Sequence, residues 1–169
     1  WKGSKKRIKI LEKSADLSFK EVITSLNVKS IIIAAGLGSR LNKYTESLPK
    51  CMLKFGKNTL LEMQLNTFRE CGISDISVIR GYKKEKINYE GLNYFENTDF
   101  KNNNILNSLF YADEKISGNV IVSYSDILFD SYVVKRLLES HADISIVVDI
   151  DWRGYYVDRQ DHPIDEAEK

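Results

Sequence analysis

The run Ala34-Ala35-Gly36-Leu37-Gly38-Ser39-Arg40-Leu41 joins two glycines one residue apart to a nearby guanidinium. With no Cβ in the way, the backbone N–H groups of such a loop can approach phosphate oxygens, and Arg40 adds a fixed positive fork. A Gly-x-Gly alone is equally a tight turn after a strand. Two other phosphate motifs are excluded. The dinucleotide fingerprint needs a third glycine where Leu41 stands, and Gly56-Lys57-Asn58-Thr59 would need the first glycine of a P-loop at Cys51. Lys50, in Leu48-Pro49-Lys50-Cys51-Met52, is presented from a backbone stiffened by Pro49. An ammonium held there can bridge a triphosphate and offset charge that develops during group transfer. A solvated surface lysine is the competing reading.

Three more groups of residues carry side chains suited to a ligand. Asp126, in Val122-Ser123-Tyr124-Ser125-Asp126-Ile127-Leu128-Phe129, offers a carboxylate for Mg²⁺ against a triphosphate, or else a turn cap. Asn104 and Ser108 lie one helical turn apart and present an amide and a hydroxyl to a pyrimidine edge or a ribose, or else cap a helix. Asp151, Trp152 and Tyr155 combine aromatic and carboxylate groups fit for an ammonium, while Arg159 and His162 are fit to face a phosphonate. A polar loop with its aromatics packed on the core competes with that assignment. His141 reads as the end of a helix.

The elements that must position these residues follow from periodicity. Ile31 to Ala34 reads as a fully buried strand, Ile76 to Arg80 as a second, Leu92 to Glu96 as a shorter one, and Val120 to Tyr124 and Ile144 to Asp149 as two more. Between them, Thr59 to Cys71 reads as a helix with a Thr59–Glu62 capping box and Gly72 at its end. Asn104 to Glu114, with Ile105–Leu109 and Leu106–Phe110 at i,i+4, and Tyr132 to Ser140 are predicted helices too. Strands alternating with helices predict an α/β, Rossmann-like three-layer fold with a mixed, mainly parallel sheet. In such sheets ligands bind beyond the carboxyl ends of the strands, which is where the candidate residues fall.

Composition sets the outer limits. With 169 residues the chain fits one domain, and 25 basic against 24 acidic residues leave a net charge of +1, so no basic field attracts nucleic acid or a membrane. Cys51 and Cys71 have no metal-ligand spacing and read as free thiols of a reducing compartment. The longest apolar stretch, Ile31 to Ala35, is strand-sized, so a cytoplasmic protein without a signal peptide is expected. Residues 1–28 are rich in Lys and Ser, hold one amphipathic helix from Phe19 to Leu26, and read as a tail or interdomain linker; residues 29–169 form the domain. A chain opening on Trp1 and closing in charged sequence at Lys169 is expected to be part of a longer one.

Taken together, the run Ile31 to Met52 (strand, Ala-Ala-Gly-x-Gly-x-Arg-Leu, spacer, Pro-Lys-x-Met) resembles the signature of the sugar-phosphate nucleotidyltransferase superfamily. Asn104-x-x-x-Ser108-Leu109 resembles the phosphocholine and phosphonate cytidylyltransferase branch, and Gly81-Tyr82 resembles a base-side loop of that branch. The resemblance implies Lys50 and Arg40 as catalytic cations and Asp126 as the Mg²⁺ ligand. It implies Ala34, Ala35, Gly36, Gly38, Ser39, Gly81, Tyr82, Asn104 and Ser108 as nucleotide-binding. The terminal segment is similar to nucleotidyltransferase domains found with phosphonate biosynthesis enzymes, which favours CTP and 2-aminoethylphosphonate as substrates. A sugar-1-phosphate nucleotidyltransferase using UTP or dTTP shares the glycine loop and Pro-Lys and stays open, as does a non-catalytic nucleotide-sensing subunit. A second metal-binding carboxylate and much of the acceptor pocket are expected beyond Lys169. Fusion to an upstream phosphoenolpyruvate mutase-like domain and assembly as a homodimer are further arrangements compatible with this reading.

Overall fold

The computed structural model describes residues 27–102 and 104–157. Their order is β1 (Lys29–Ala34), β2 (Lys54–Phe55), β3 (Asn58–Thr59), α1 (Leu60–Glu70), β4 (Asp75–Arg80), β5 (Asn93–Glu96), α2 (Ile105–Leu109), β6 (Val120–Tyr124) and α3 (Ser131–Leu138). Single 3₁₀ turns lie at Ser39–Tyr44, Lys50–Met52, Lys84–Lys86, Phe110–Lys115 and Trp152–Tyr156. The segment Phe19 to Leu26 lies outside the described residues.

β1 is the centre of the sheet. Its sequence Lys-Ser-Ile-Ile-Ile-Ala is apolar on both faces, as a strand covered from both sides requires. It pairs in parallel with β4, from Lys29↔Asp75 to Ala34↔Arg80, and with β6, from Lys29↔Val120 to Ile33↔Tyr124. β5 adds in parallel to β4, giving the order β5-β4-β1-β6. The antiparallel pairing is confined to a separate ribbon, β2 with β3, turning through Gly56-Lys57. The Gly56-Lys57-Asn58-Thr59 run is thus a hairpin leading into α1.

Alternation along β1 divides the core. Ile32 and Ala34 face Leu61, Leu65 and Phe68 of α1 and Val134 of α3. Ile31, Ile33 and Ala35 face the other way, onto Leu109, Tyr111 and Ala112. Helices therefore cover both faces, and the expected three layers form. Leu61, Leu65 and Phe68 are buried essentially completely. Each such side chain stabilises the fold by about 1.5–3 kcal/mol relative to exposure. α1 starts as its sequence predicts: the Thr59 hydroxyl accepts from the Glu62 N–H at 3.0 Å, and the Glu62 carboxylate accepts from the Thr59 N–H at 2.6 Å.

Two expected elements differ. The helix from Asn104 is α only to Leu109; the chain then tightens into the 3₁₀ turn, with Ala112 at φ −118°, ψ 33°. The tightening carries Tyr111 and Ala112 onto the sheet, whereas the Leu106–Phe110 pair that supported a longer helix stays exposed. Residues 144–149 form no strand. Apolar content alone does not make one, because a strand needs a hydrogen-bonded neighbour. None of the described strands pairs with this stretch, and Ile144 and Ile146 are 82 and 80% exposed.

The capping box is directly testable. Thr59→Ala should lower stability in denaturant unfolding by about 1 kcal/mol, with Thr59→Ser retaining most of it. An unchanged unfolding midpoint for Thr59→Ala would show that the cap contributes nothing.

Candidate functional site

Going along the chain, β4 and β5 add on one side of β1 and β6 then returns to the other, so the strand order reverses between β1 and β6. A crevice opens where neighbouring strands send their chains to opposite sides, and ligands of open α/β sheets bind there. A cleft of about 600 Å³ occupies that position. Ile33, Ala34 and Ala35 form its floor, with Gly36, Gly38, Ser39, Arg40 and Leu41 along one side. Lys50 and Cys51, then Tyr124, Ser125, Asp126 and Ile127, make another side, and Phe100, Asn104, Ile105 and Ser108 complete it.

The glycine loop is held from behind. Ala35 C=O accepts from the Tyr82 N–H at 3.0 Å, and Gly38 C=O accepts from the Thr45 hydroxyl and the Leu41 N–H, each at 3.0 Å. The Tyr82 hydroxyl lies 2.9 and 3.2 Å from the carbonyl oxygens of Thr45 and Glu46. Gly38 has φ +63°, which an L side chain adopts only under strain, and a Cβ there would come within 3.2 Å of Thr45 Cγ2 and 3.3 Å of Lys50 Cβ. Gly36 differs: a Cβ there meets nothing within 4 Å. No packing demand among the described residues explains the glycine at Gly36.

Lys50 opens the 3₁₀ turn Lys50–Met52, with Pro49 at φ −61° before it. The turn closes through Met52 N–H to Pro49 C=O at 2.9 Å and Leu53 N–H to Lys50 C=O at 3.1 Å. Lys50 Nζ then donates to Asp126 Oδ2 at 2.6 Å, across 76 residues of sequence. The two side chains are 38 and 36% exposed, so water screens the pair and its net contribution to stability is small. Behind them the Cys51 thiol is pushed up to about 12, chiefly by burial and against the opposing effect of a Ser125 hydrogen bond. It stays a neutral thiol through the neutral range.

Ten residues singled out in the sequence meet in this cleft: Ala34, Ala35, Gly36, Gly38, Ser39, Arg40, Lys50, Asn104, Ser108 and Asp126. Asn104 also caps α2, its side-chain oxygen accepting from the Asn107 N–H at 2.9 Å. Ser108 is buried and its hydroxyl accepts from Asn97 Nδ2 at 2.8 Å. Gly81 and Tyr82 are not among the lining residues and instead brace the glycine loop. Asp151 and Trp152 lie apart from the cleft on an exposed 3₁₀ turn, where Trp152 meets Tyr156 edge-on at 5.8 Å. The turn includes Tyr155. Arg159 and His162 lie outside the described residues. The sequence reading missed Phe100, Tyr124, Ser125 and Thr45. Ser125 adjoins Asp126 and was within reach of that argument, whereas Phe100 and Thr45 carry no local signal.

Among the described residues no group of three or more His, Cys, Asp or Glu side chains converges to hold a metal. Asp126 is the one carboxylate lining the cleft. That donor set fits a hard cation shared with phosphate oxygens, since Mg²⁺ is commonly held by one or two carboxylates plus substrate phosphates. It does not fit a metal bound wholly by protein.

A parallel sheet with a glycine loop after its central strand, facing a lysine and an aspartate at the crevice, defines a nucleotide-binding α/β domain. The chain belongs to the MobA-like NTP transferase domain family, whose model matches residues 30–161. It is 28% identical over 152 residues to CTP:phosphoglutamine cytidylyltransferase of Campylobacter jejuni, covering 83% of this chain and 60% of that protein. It is 30% identical over 105 residues to 2-aminoethylphosphonate cytidylyltransferase of Lancefieldella rimae, covering 59 and 43%. Among solved structures it is similar to CTP:phosphocholine cytidylyltransferase from Streptococcus pneumoniae, with 37% identity, a TM-score of 0.56, and coverage of 59% of this chain and 45% of that one. A UTP–glucose-1-phosphate uridylyltransferase of Haloferax volcanii, 27% identical over 135 residues, is also among its relatives. The chain thus spans between 43 and 60% of the length of these two curated relatives.

The two open-loop glycines separate ligand approach from packing. A Cβ at Gly81 would lie 2.8 Å from Ala35 O, 2.8 Å from Phe100 Cβ and 2.9 Å from Ala35 Cβ. Gly81→Ala should therefore destabilise the fold by about 1–3 kcal/mol, the usual cost of overpacking. Gly36→Ala should leave the melting temperature unchanged and weaken nucleoside triphosphate binding. Calorimetric titration and thermal melts of the two variants check this; equal melting losses would remove the distinction.

Proposed function

We propose that the protein carrying this domain is a cytidylyltransferase that transfers CMP from CTP to a small phosphate or phosphonate acceptor, 2-aminoethylphosphonate being favoured, with release of pyrophosphate. The observation that carries this reading is the meeting of Lys50 and Asp126 at 2.6 Å opposite the glycine loop. One cation and one anion converge where a triphosphate would enter. The cytidylyltransferase relatives favour CTP, and their acceptors are small phosphorylated or phosphonate compounds.

On this reading residues 29–169 supply the nucleotide-binding half of the domain and residues 1–28 a tail or linker. The N–H groups and open face at Gly36 receive phosphate oxygens, and Arg40 and Lys50 neutralise the charge that builds as the α-phosphorus is attacked. The acceptor oxygen is already ionised near neutral pH and attacks in line, so the bond to the α-phosphorus forms as that to the leaving pyrophosphate breaks. Asp126 would hold Mg²⁺, which supplies charge neutralisation and orientation of the triphosphate when bound. Freed of Asp126, Lys50 is available to the phosphates. Asn104 and the half-buried Phe100 ring stand on the side where the nucleoside extends.

A sugar-1-phosphate nucleotidyltransferase using UTP or dTTP is the second reading, supported by the uridylyltransferase among the relatives. Pyrophosphate release by the intact protein, measured with each triphosphate against 2-aminoethylphosphonate, phosphocholine and glucose 1-phosphate, separates the two. Turnover with CTP and an aminophosphonate is expected; turnover confined to UTP and a sugar phosphate would overturn the proposal. Lys50→Ala should cut turnover by at least ~100-fold, the scale of losing one preorganised charge. Near-normal turnover would exclude Lys50 from the chemistry. Asp126→Asn should abolish Mg²⁺-dependent turnover with the fold intact by circular dichroism, whereas an unfolded Asp126→Asn protein would make Asp126 a structural cap.

A further inference from the structure

We infer that Gln64, in the middle of α1, positions Asp126 for its part in the site. The inference rests on the cytidylyltransferase reading above. Gln64 is 1% exposed, on the face of α1 that packs beneath the sheet. Its Nε2 donates to Tyr124 C=O at 2.8 Å and to Ile127 C=O at 2.5 Å, so its two N–H bonds bracket Asp126. Its Oε1 accepts from the Ser123 hydroxyl at 3.4 Å. Both carbonyls can only accept, which fixes the amide with its nitrogen toward the Asp126 segment. The amide of a buried side chain is thus spent on one stretch of chain, the Tyr124 and Ile127 carbonyls and the Ser123 hydroxyl.

That stretch needs holding. β6 is an edge strand whose register with β1 ends at Tyr124, and the last sheet-like contact is Ser125 N–H to Ile33 C=O at 3.1 Å. From there to the cap of α3 at Asp130 the backbone is irregular. Carbonyls there have no strand to bond. α1 answers them through Gln64, which reaches Tyr124 and Ile127; the Thr67 hydroxyl, 3.0 Å from Met63 C=O of its own helix, lies 3.4 Å from Phe129 C=O. Asp126, lying between the two carbonyls that Gln64 holds, has its Cα fixed relative to α1 and the sheet. Its carboxylate then meets Lys50 on the opposite lip. A hydrophobic residue at Gln64 would pack, but it would take this donor from the Tyr124 and Ile127 carbonyls and leave the carboxylate without a fixed origin.

A residue that only supports the fold would lose stability when changed and nothing else. A positioning residue has a specific signature, because outer contacts of a metal-binding carboxylate govern its affinity for the ion. In the intact protein, Gln64→Met keeps size and removes the amide, while Leu65→Ala, buried on the same helix, serves as a variant of comparable melting loss. For Gln64→Met, the Mg²⁺ concentration giving half-maximal CTP binding by calorimetry should rise about tenfold. Its kcat should fall by up to ~100-fold with the KM for CTP little changed, as expected of misplacement rather than lost binding. Leu65→Ala should leave the Mg²⁺ requirement and kcat close to those of the unaltered protein. Amide hydrogen exchange at Ser125 to Leu128 should accelerate selectively in Gln64→Met. If both variants change exchange and Mg²⁺ requirement alike, Gln64 is a packing residue and the inference fails. If the unaltered protein turns over no triphosphate, the functional reading fails instead, and exchange still tests whether Gln64 holds the segment.

Discussion

β1 is hydrogen-bonded along both edges and buried on both faces, and every part of the candidate site is measured from its carboxyl end. Its apolar run leaves no alternative to the centre of the sheet: Ile31, Ile32 and Ala34 are at most 3% exposed. Such a strand has no freedom to shift, since a one-residue slip in register would reverse its faces. The glycine loop therefore starts from a fixed point at Ala35. The order β5-β4-β1-β6 then decides where a ligand can go. A sheet in which β1 lay at the edge would keep the loop but lose the opposing wall from β6, and Lys50 would have no Asp126 to meet.

From that fixed end, two kinds of contact share the labour. Backbone-directed hydrogen bonds from Thr45, Tyr82 and Gln64 hold loops by their carbonyls, and all three side chains approach from behind the ligand surface. The groups that face the cleft, Arg40, Lys50 and Asp126, remain partly solvated. This division suits a charged ligand. Buried donors organise the backbone at little electrostatic cost, while exposed charges keep their hydration until a triphosphate displaces it. A buried Lys50–Asp126 pair would be held more tightly and would resist rearrangement around phosphates.

How much of this is legible in the sequence depends on how local the cause is. The Thr59–Glu62 box and the turn after Pro49 are fixed by neighbouring residues, and the box is found as read. β1 and β4 are legible because burial on both faces leaves a near-continuous apolar run, whereas β5 and β6 are only partly buried. Ile144 to Asp149 has the same composition, yet composition cannot say which strand would pair with it, and no described strand does. The break at Ala112 is hidden for a similar reason: Leu106 and Phe110 sit at helical spacing, but whether that stripe meets the sheet is a tertiary matter. Gln64 is the sharpest case. On a helix face otherwise made of Leu61, Leu65 and Phe68, an isolated amide reads as a blemish in the periodicity, because its partners lie 59 to 63 residues away. Tyr82 likewise resembles a base-side residue in sequence, whereas its hydroxyl is engaged by Thr45 and Glu46.

The chemistry available in the cleft is narrowed by its titratable groups. Those lining it are Arg40, Lys50, Cys51, Tyr124 and Asp126. Cys51 is held at about 12 by burial and is a protonated thiol at neutral pH, a poor nucleophile and a poor proton acceptor. Asp126 is paired with the Lys50 ammonium at 2.6 Å. What remains is a set of positive charges and backbone dipoles around a floor made by the end of β1. Such a set does not move protons. It lowers the energy of a transfer in which negative charge gathers on phosphate oxygens and the nucleophile arrives already ionised. On the proposed reading the demand on the acceptor is therefore strict: it must bring its own anionic oxygen. That requirement selects phosphates and phosphonates over alcohols by chemistry, before any contact with the rest of the acceptor is made.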